Sequence, residues 1–350
     1  MRPIPAWLFL AAAPALSAQD VIHWVDGTTT DRCRVSDFTV IEVKWQGGGG
    51  SDHKSSDQVV DLKVEKVLDR YKRGFDAKNN NAEDTPDLFL GVARQDLTKA
   101  PFMAQFGFWE AGKFLMEAGK AAEAFATFDE LIQKLPDSGF VPRAYAMKLD
   151  YYLSSGKAKS ADKLAKEYKE LATTKGYPNG YLHEASFYGI MADAVAGTLK
   201  PNELRSQLQN LIAQTESSFP MVANRCRLQV ADSWRREGKA DEAMTMYERI
   251  AKEKVVDTTT LAGAMLGTGH IQFGKGTESD KEPYREAMLS FLHVYLDTPA
   301  ASPDVVAEAL YQASEAALKW GGTDHRMIAG RLRYMLRSDS RFGETEWAKK

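Results

Sequence analysis

The chain has 350 residues, 27% of them charged and 44% hydrophobic, and a formal net charge of only −3. So small a charge gives no general electrostatic support to a nucleic-acid or acidic-membrane partner. Beyond the N-terminus, no apolar run approaches the roughly 20 residues that span a bilayer, so no transmembrane segment is expected.

In chain order, Arg2, the apolar run Ala6–Leu16 and the small residues Ser17 and Ala18 precede the polar Gln19-Asp20. That is the layout of a secretory signal peptide over residues 1–18, with Ser17 as a second cleavage point because Leu16 is large for its position. No cysteine follows the apolar run, so the mature chain is expected to be exported without a lipid anchor, to a periplasm or out of the cell. Two cysteines remain, Cys33 and Cys226. Export permits a disulfide, but nothing in the sequence brings the two within bonding distance, and they read as small buried apolar residues.

Residues 20–62 read as a small β domain. Val21–Val25 precedes the turn dipeptide Asp26-Gly27. Cys33–Val35 and an alternating strand Phe38–Trp45 follow, and Gln58–Leu62 makes a fourth strand. The expected shape is an SH3-like or Sm-like barrel or a meander. Gly47–Asp57 has too little apolar content to pack and reads as a flexible hairpin tip. Residues 63–100 read as linking helices, or as a degenerate first repeat or cap.

From residue 101 to 340 the apolar period becomes helical. Phe108, Ala111, Gly112 and Leu115 share one face at i, i+3, i+4 and i+7. Gly119 ends that helix, Ala124 precedes Phe128 and Leu131 on the next, and Pro136 closes the unit. A second copy runs through Tyr145, Tyr152, Gly156, Ala161, Ala165 and Tyr168, and a weaker one through Tyr188, Ala192, Leu204, Leu208 and Leu211. A strong fourth has Ala231, Trp234, Gly238, Ala243, Tyr247 and Ile250. Ala264, Gly267 and Ile271 with Ala287, Phe291 and Val294 make a fifth. Leu310, Ala313, Ala317 and Gly321, with a polar helix Arg326–Arg337, make a sixth before a tail at 341–350.

This register of aromatic, small residue, glycine, alanine, aromatic and proline resembles the tetratricopeptide repeat. The resemblance implies an α-solenoid of helical hairpins. The loose spacings resemble those of exported bacterial envelope proteins.

Chemical motifs are sparse. Gly269–Lys275 reaches G-x-x-x-x-G-K, but Gly276 stands where the Mg²⁺-binding hydroxyl belongs, and the stretch reads as an inter-helix turn. The six histidines form no i, i+4 pair, neither cysteine has a histidine at ligand spacing, and no nucleophile elbow occurs. No catalytic residue, metal site or cofactor is expected.

What the resemblance implies instead is a concave surface lined by the first helix of each repeat, between the packing positions. Carried onto this chain, that face offers Trp109, Lys113, Met116, Arg143, Asp150, Arg225, Asp232, Arg235 and Arg236. Lys113, Asp150 and Asp232 stand where the family's peptide-carboxylate clamp has asparagine, which argues against recognition of a C-terminal tail. The alternatives for these residues are packing, for Trp109, and solvation of the face, for the arginines. The expected function is a non-catalytic exported scaffold or adaptor that binds a protein or peptide. The alternatives are an envelope-assembly factor tied to outer-membrane or cell-wall machinery and, more distantly, a glycan-binding or glycan-processing helical-repeat protein.

Overall fold

A computed structural model of the chain describes residues 20–47, 50–343 and 345–350; the expected signal peptide lies outside them. Five strands come first: β1 (Asp20–Trp24), β2 (Thr29–Phe38), β3 (Glu42–Gly47), β4 (Gly50–Ser55) and, after a 3-10 turn at Ser56–Gln58, β5 (Val59–Lys63). All pairings are antiparallel, and the sheet order is β4-β3-β2-β1-β5, a meander whose last strand returns to the first. Among the described residues β4 and β5 do not pair, so the sheet is open.

Two sequence expectations change here. The single strand Phe38–Trp45 is two strands. Phe38 ends β2, and residues 39–41 turn the chain so that Phe38 pairs back onto Val43. The glycine-rich stretch is not a loose tip, since Gly50–Ser55 is the edge strand β4, paired with β3 from Gly47↔Gly50 to Glu42↔Ser55. An edge strand needs only backbone partners on one side, which its polar side chains do not prevent. Asp20 secures the start of the sheet, accepting from the Val35 amide at 2.7 Å and from the Glu65 amide at 2.8 Å.

Three helices follow, α1 (Glu65–Arg70), α2 (Lys72–Asn79) and α3 (Thr85–Asp96). Six hairpins complete the fold: α4/α5 (Pro101–Glu117, Ala121–Lys134), α6/α7 (Val141–Ser154, Ala158–Thr174), α8/α9 (Asn179–Val195, Pro201–Thr215), α10/α11 (Pro220–Arg236, Ala240–Lys252), α12/α13 (Thr258–Lys275, Glu282–Asp297) and α14/α15 (Pro303–Trp320, His325–Ser338). Gly119, Gly156 and Gly238 turn the chain between hairpin helices at φ 75, 65 and 79°, a region where a Cβ is penalised. The Gly269–Lys275 stretch is the last part of α12, not a turn, and Gly269 lies against Phe291.

Phe108, Leu115, Ala124, Phe128, Ala161, Ala243 and Tyr247 are buried. Tyr152 and Trp234 are half-buried against the core, whereas Pro136, between α5 and α6, is exposed: it ends the unit without packing into it. Small residues let the helices of a pair approach. A Cβ on Gly112 would stand 2.3 Å from Phe128 Cε1, and one on Gly267 would stand 2.2 Å from Tyr247 Cζ.

First helices of successive hairpins touch one another from α6 to α14 more closely than the second helices do. The first helices therefore line the inner side of the array. Its curvature brings the end of α4 back towards the C-terminus, where Glu117 shares a small cavity with Pro299–Ala301 and Arg341. The tail packs as well, with Phe342 buried and Trp347 against Tyr311.

The sheet is not an independent unit. Its apolar residues Ile22, Trp24, Val35, Phe38, Val43, Val59 and Leu62 belong to the same core cluster as Phe89, Phe106, Phe108, Phe128 and Phe140 of the helices. Cys33 lies in that cluster and Cys226 in the next, both unpaired and buried. Burial pushes the Cys33 thiol up to about 11 and the Cys226 thiol up to about 12.

The close approach at Gly112 gives the first prediction. Gly112→Ala is expected to lose about 1–3 kcal/mol through overpacking against Phe128, read as a lower denaturation midpoint. Gly189→Ala, where an added Cβ meets nothing within 4 Å, is expected not to lose stability.

Candidate functional site

The sheet enters the inner side of the array at the second hairpin. Thr39 bridges to Ser138, the Val40 amide donates to the Asp137 carbonyl at 2.9 Å, and the Gly139 amide donates to the Phe38 carbonyl at 3.2 Å. Phe140, at the start of α6, is the centre of the junction. Its ring meets Phe38 of the sheet edge-on at 5.2 Å and Phe106 at 5.0 Å, and stacks on Trp109 at 5.2 Å. Farther along, the Arg143 guanidinium donates to the Val59 carbonyl at 2.9 Å. The Gly180 amide, at the start of α8 where no helical carbonyl can reach it, donates to Asp57 Oδ2 at 2.9 Å.

Between the sheet and the inner helices this docking leaves a cavity of ≈ 230 Å³. Val25, Val59 and Val60 form the sheet-side wall, and Trp109, Ala146, Met147, Tyr181 and Val222 are among the helix-side lining. Its polar groups are Asp57, Arg143, Asp150, Glu184 and Arg225.

Arg225 organises the polar end. It lies 3.2 Å from Glu184 and 3.2 Å from Asp257, and donates to the Tyr188 hydroxyl at 2.9 Å. Tyr188 in turn donates to Asp150 Oδ1 at 2.9 Å, and Tyr168 donates to Glu184 Oε2 at 3.0 Å. Asp150 lies at the open side of the cavity and is exposed there. Removal from bulk solvent pushes the Asp150 and Glu184 carboxyls above the usual carboxylate range, against the opposing pull of Arg225. At Asp257 burial also raises the carboxyl, but Arg225 and the hydroxyl and amide of Thr260 outweigh it and hold it below that range.

Of the nine inner-face residues expected from sequence, the structure brings four together here: Trp109, Arg143, Asp150 and Arg225, from three hairpins. The other five do not line the cavity. Met116 packs half-buried on the first core cluster, and Lys113 is half-buried on α4. Asp232 accepts from Tyr247 at 2.6 Å and pairs with Arg235 at 3.6 Å, while Arg236 is exposed at the end of α10.

Sequence reading missed Glu184 and Tyr181, which occupy the same inner positions in the third hairpin, whose register was too weak to carry the pattern over. It also missed Asp57, which reaches the site only because the sheet folds back. A glycan site needs clustered aromatic rings, but Trp109, Trp234 and Trp320 pack on different core clusters. Among the described residues no group of three metal-ligating side chains occurs, and no helix is long and apolar enough to cross a membrane.

The opposite perturbations give a pH prediction. A carboxyl whose folded pKa is raised carries a penalty that is absent below its unfolded pKa of about 3.9 and grows as pH rises through the folded value. Asp150→Asn is therefore expected to raise the melting temperature at pH 8 and to lose that advantage near pH 4. Asp257→Asn is expected to do the reverse: its lowered pKa supplies stability that is present at neutral pH and lost on acidification. Thermal scans of both variants across pH check the two signs.

A family model of the tetratricopeptide repeat matches residues 108–138. Among solved structures, the crystal structure of NprR in complex with its cognate peptide NprX is similar at 15% identity and a TM-score of 0.42, covering 79% of this chain and 80% of that one. No curated protein matches the chain.

Proposed function

We propose that this chain is a non-catalytic scaffold that binds a peptide or protein on the inner face of its helical array, with the N-terminal sheet forming one wall of the site. The observation that carries the reading is the cavity at that wall, where side chains at equivalent inner positions of α4, α6, α8 and α10 converge with β5. Small, apolar-walled concavities with a few convergent polar groups are where proteins recognise ligands. The polar groups here are tied to one another through Tyr188 and Arg225, an arrangement suited to holding a ligand. The curvature of a hairpin array also makes its inner face an extended concave surface to which several repeats contribute.

We further propose that the protein is exported, on the strength of the Arg2, Ala6–Leu16 and Ala18 pattern. Sequencing the N-terminus of the protein purified from its native source is expected to begin at Gln19 or Ala18, and recovery beginning at Met1 would contradict export by this route.

The binding reading is tested by site-specific photo-crosslinking in cells. A benzophenone side chain replacing the half-buried Met221 at the cavity is expected to yield a discrete adduct. The same group at the exposed Lys166 of α7, on a second helix, is expected to yield none. Identical adduct patterns from both positions would remove the inner-face assignment.

A further inference from the structure

The carboxylates around the cavity are not balanced by its arginines. Among the described residues, the arginines facing Asp57, Asp150, Glu184 and Asp257 are Arg143 and Arg225, and His183 lies near Asp57. Arg225 is already divided between Glu184 and Asp257 and also donates to the Tyr188 hydroxyl. Arg143 is turned to the Val59 carbonyl and lies 5.7 Å from the centres of the Phe38 and Phe140 rings. Asp57 is anchored by the Gly180 amide. Asp150 is the group left open, with one oxygen fixed by Tyr188 and the residue itself exposed at the cavity. Negative charge held in a partly desolvated space without a matching cation is costly, and either a proton or a cation from outside relieves it.

The shape of the cavity selects between cations. Its volume of ≈ 230 Å³ exceeds the roughly 150 Å³ that accommodates benzene and falls below the roughly 300–1,000 Å³ of pockets for drug-sized ligands. Its lining is largely apolar, with the aliphatic Ala146, Met147, Val59, Val60 and Val222 beside the rings of Trp109, Tyr181 and Phe219. A small hydrated ion would leave those walls wet. A methylene stem ending in a charge covers them and delivers the cation to the carboxylate.

We propose that the cavity receives the basic side chain, lysine or arginine, of an extended peptide, its stem along Met147, Val59 and Val222 and its charged head at Asp150. The inference rests on the peptide-binding reading above and adds the chemistry of the residue read. Glu184 and Tyr188 act as positioning residues, the first by engaging Arg225 and the second by fixing Asp150. An acidic peptide is excluded from this position by like charge.

The test is selection of a displayed random heptapeptide library on the full protein, followed by binding measurements with the strongest selected peptide. The expected peptides share one lysine or arginine beside an apolar residue. Binding is expected to fall at least tenfold when that residue becomes norleucine, and again in Asp150→Asn. Met147→Lys, one helical turn before Asp150, supplies a tethered ammonium and is expected to abolish binding while native circular dichroism is retained.

Selected peptides that share no basic residue, or binding indifferent to both substitutions, would overturn the cation assignment and leave the peptide reading standing. Failure to enrich any peptide over an unrelated control protein would count against the peptide reading itself. Cadaverine, which offers the same stem and charge, is expected to compete only weakly; binding tighter than that of the selected peptide would make a free diamine the ligand and overturn the peptide assignment.

Discussion

The structure depends on where the sheet buries its single apolar face. Five short strands cannot enclose a core of their own, and Phe38, Val43, Val59 and Leu62 are buried only because helices supply the other half of the cluster. Phe140 joins the two halves, meeting Phe38 on one side and Phe106 and Trp109 on the other. Stacked and edge-on aromatic contacts of this kind add about 0.5–1.5 kcal/mol each beyond their buried area. Removing the sheet would expose the core of the first hairpin as well as its own.

That constraint determines what the inner face can offer. A helical-hairpin array by itself presents a long open groove, but here part of it is occupied by the chain's own N-terminal strands. The space left beside β5 is a cavity of side-chain size, and its polar end is held by Tyr188 and Arg225 between hairpins. Packing and recognition therefore fall on different residues of the same helices. In α4, Phe108 and Leu115 are fully buried against neighbouring elements while Trp109 reaches the cavity. In α6, Tyr145 and Leu149 pack while Arg143 and Asp150 face inward.

Much of the helical part was legible because its periodicity is local. Gly112 and Phe128, or Gly156 and Ala161, lie within one hairpin, and their spacing already implies the close approach the structure shows. The four inner-face residues that converge were found the same way, by offset from the packing positions. The sheet was less legible. Alternation continues from Phe38 to Trp45 through residues that in fact turn, and nothing in the composition of Gly50–Ser55 marks a strand held chiefly by backbone pairing, with Lys54 alone reaching Trp24 and Asp26. Asp57 could not be assigned from sequence, because its partner Gly180 is 123 residues away. The charge imbalance was equally hidden, since Asp150, Glu184, Arg225 and Asp257 come from different hairpins and a linking loop, and each alone reads as a solvated helix or loop residue.

The most direct test of the account is hydrogen exchange at the Gly180 amide. This donor lies at the N-terminus of α8, where no helical acceptor exists, and Asp57 of the docked sheet is its partner. If the sheet closes the inner face as described, the amide exchanges slowly in the native protein and becomes fast in Asp57→Ala, while amides in the middle of α8 are unchanged. Rapid exchange at Gly180 in the unsubstituted protein would show that the sheet does not sit against α8, and the composite cavity would fall with it.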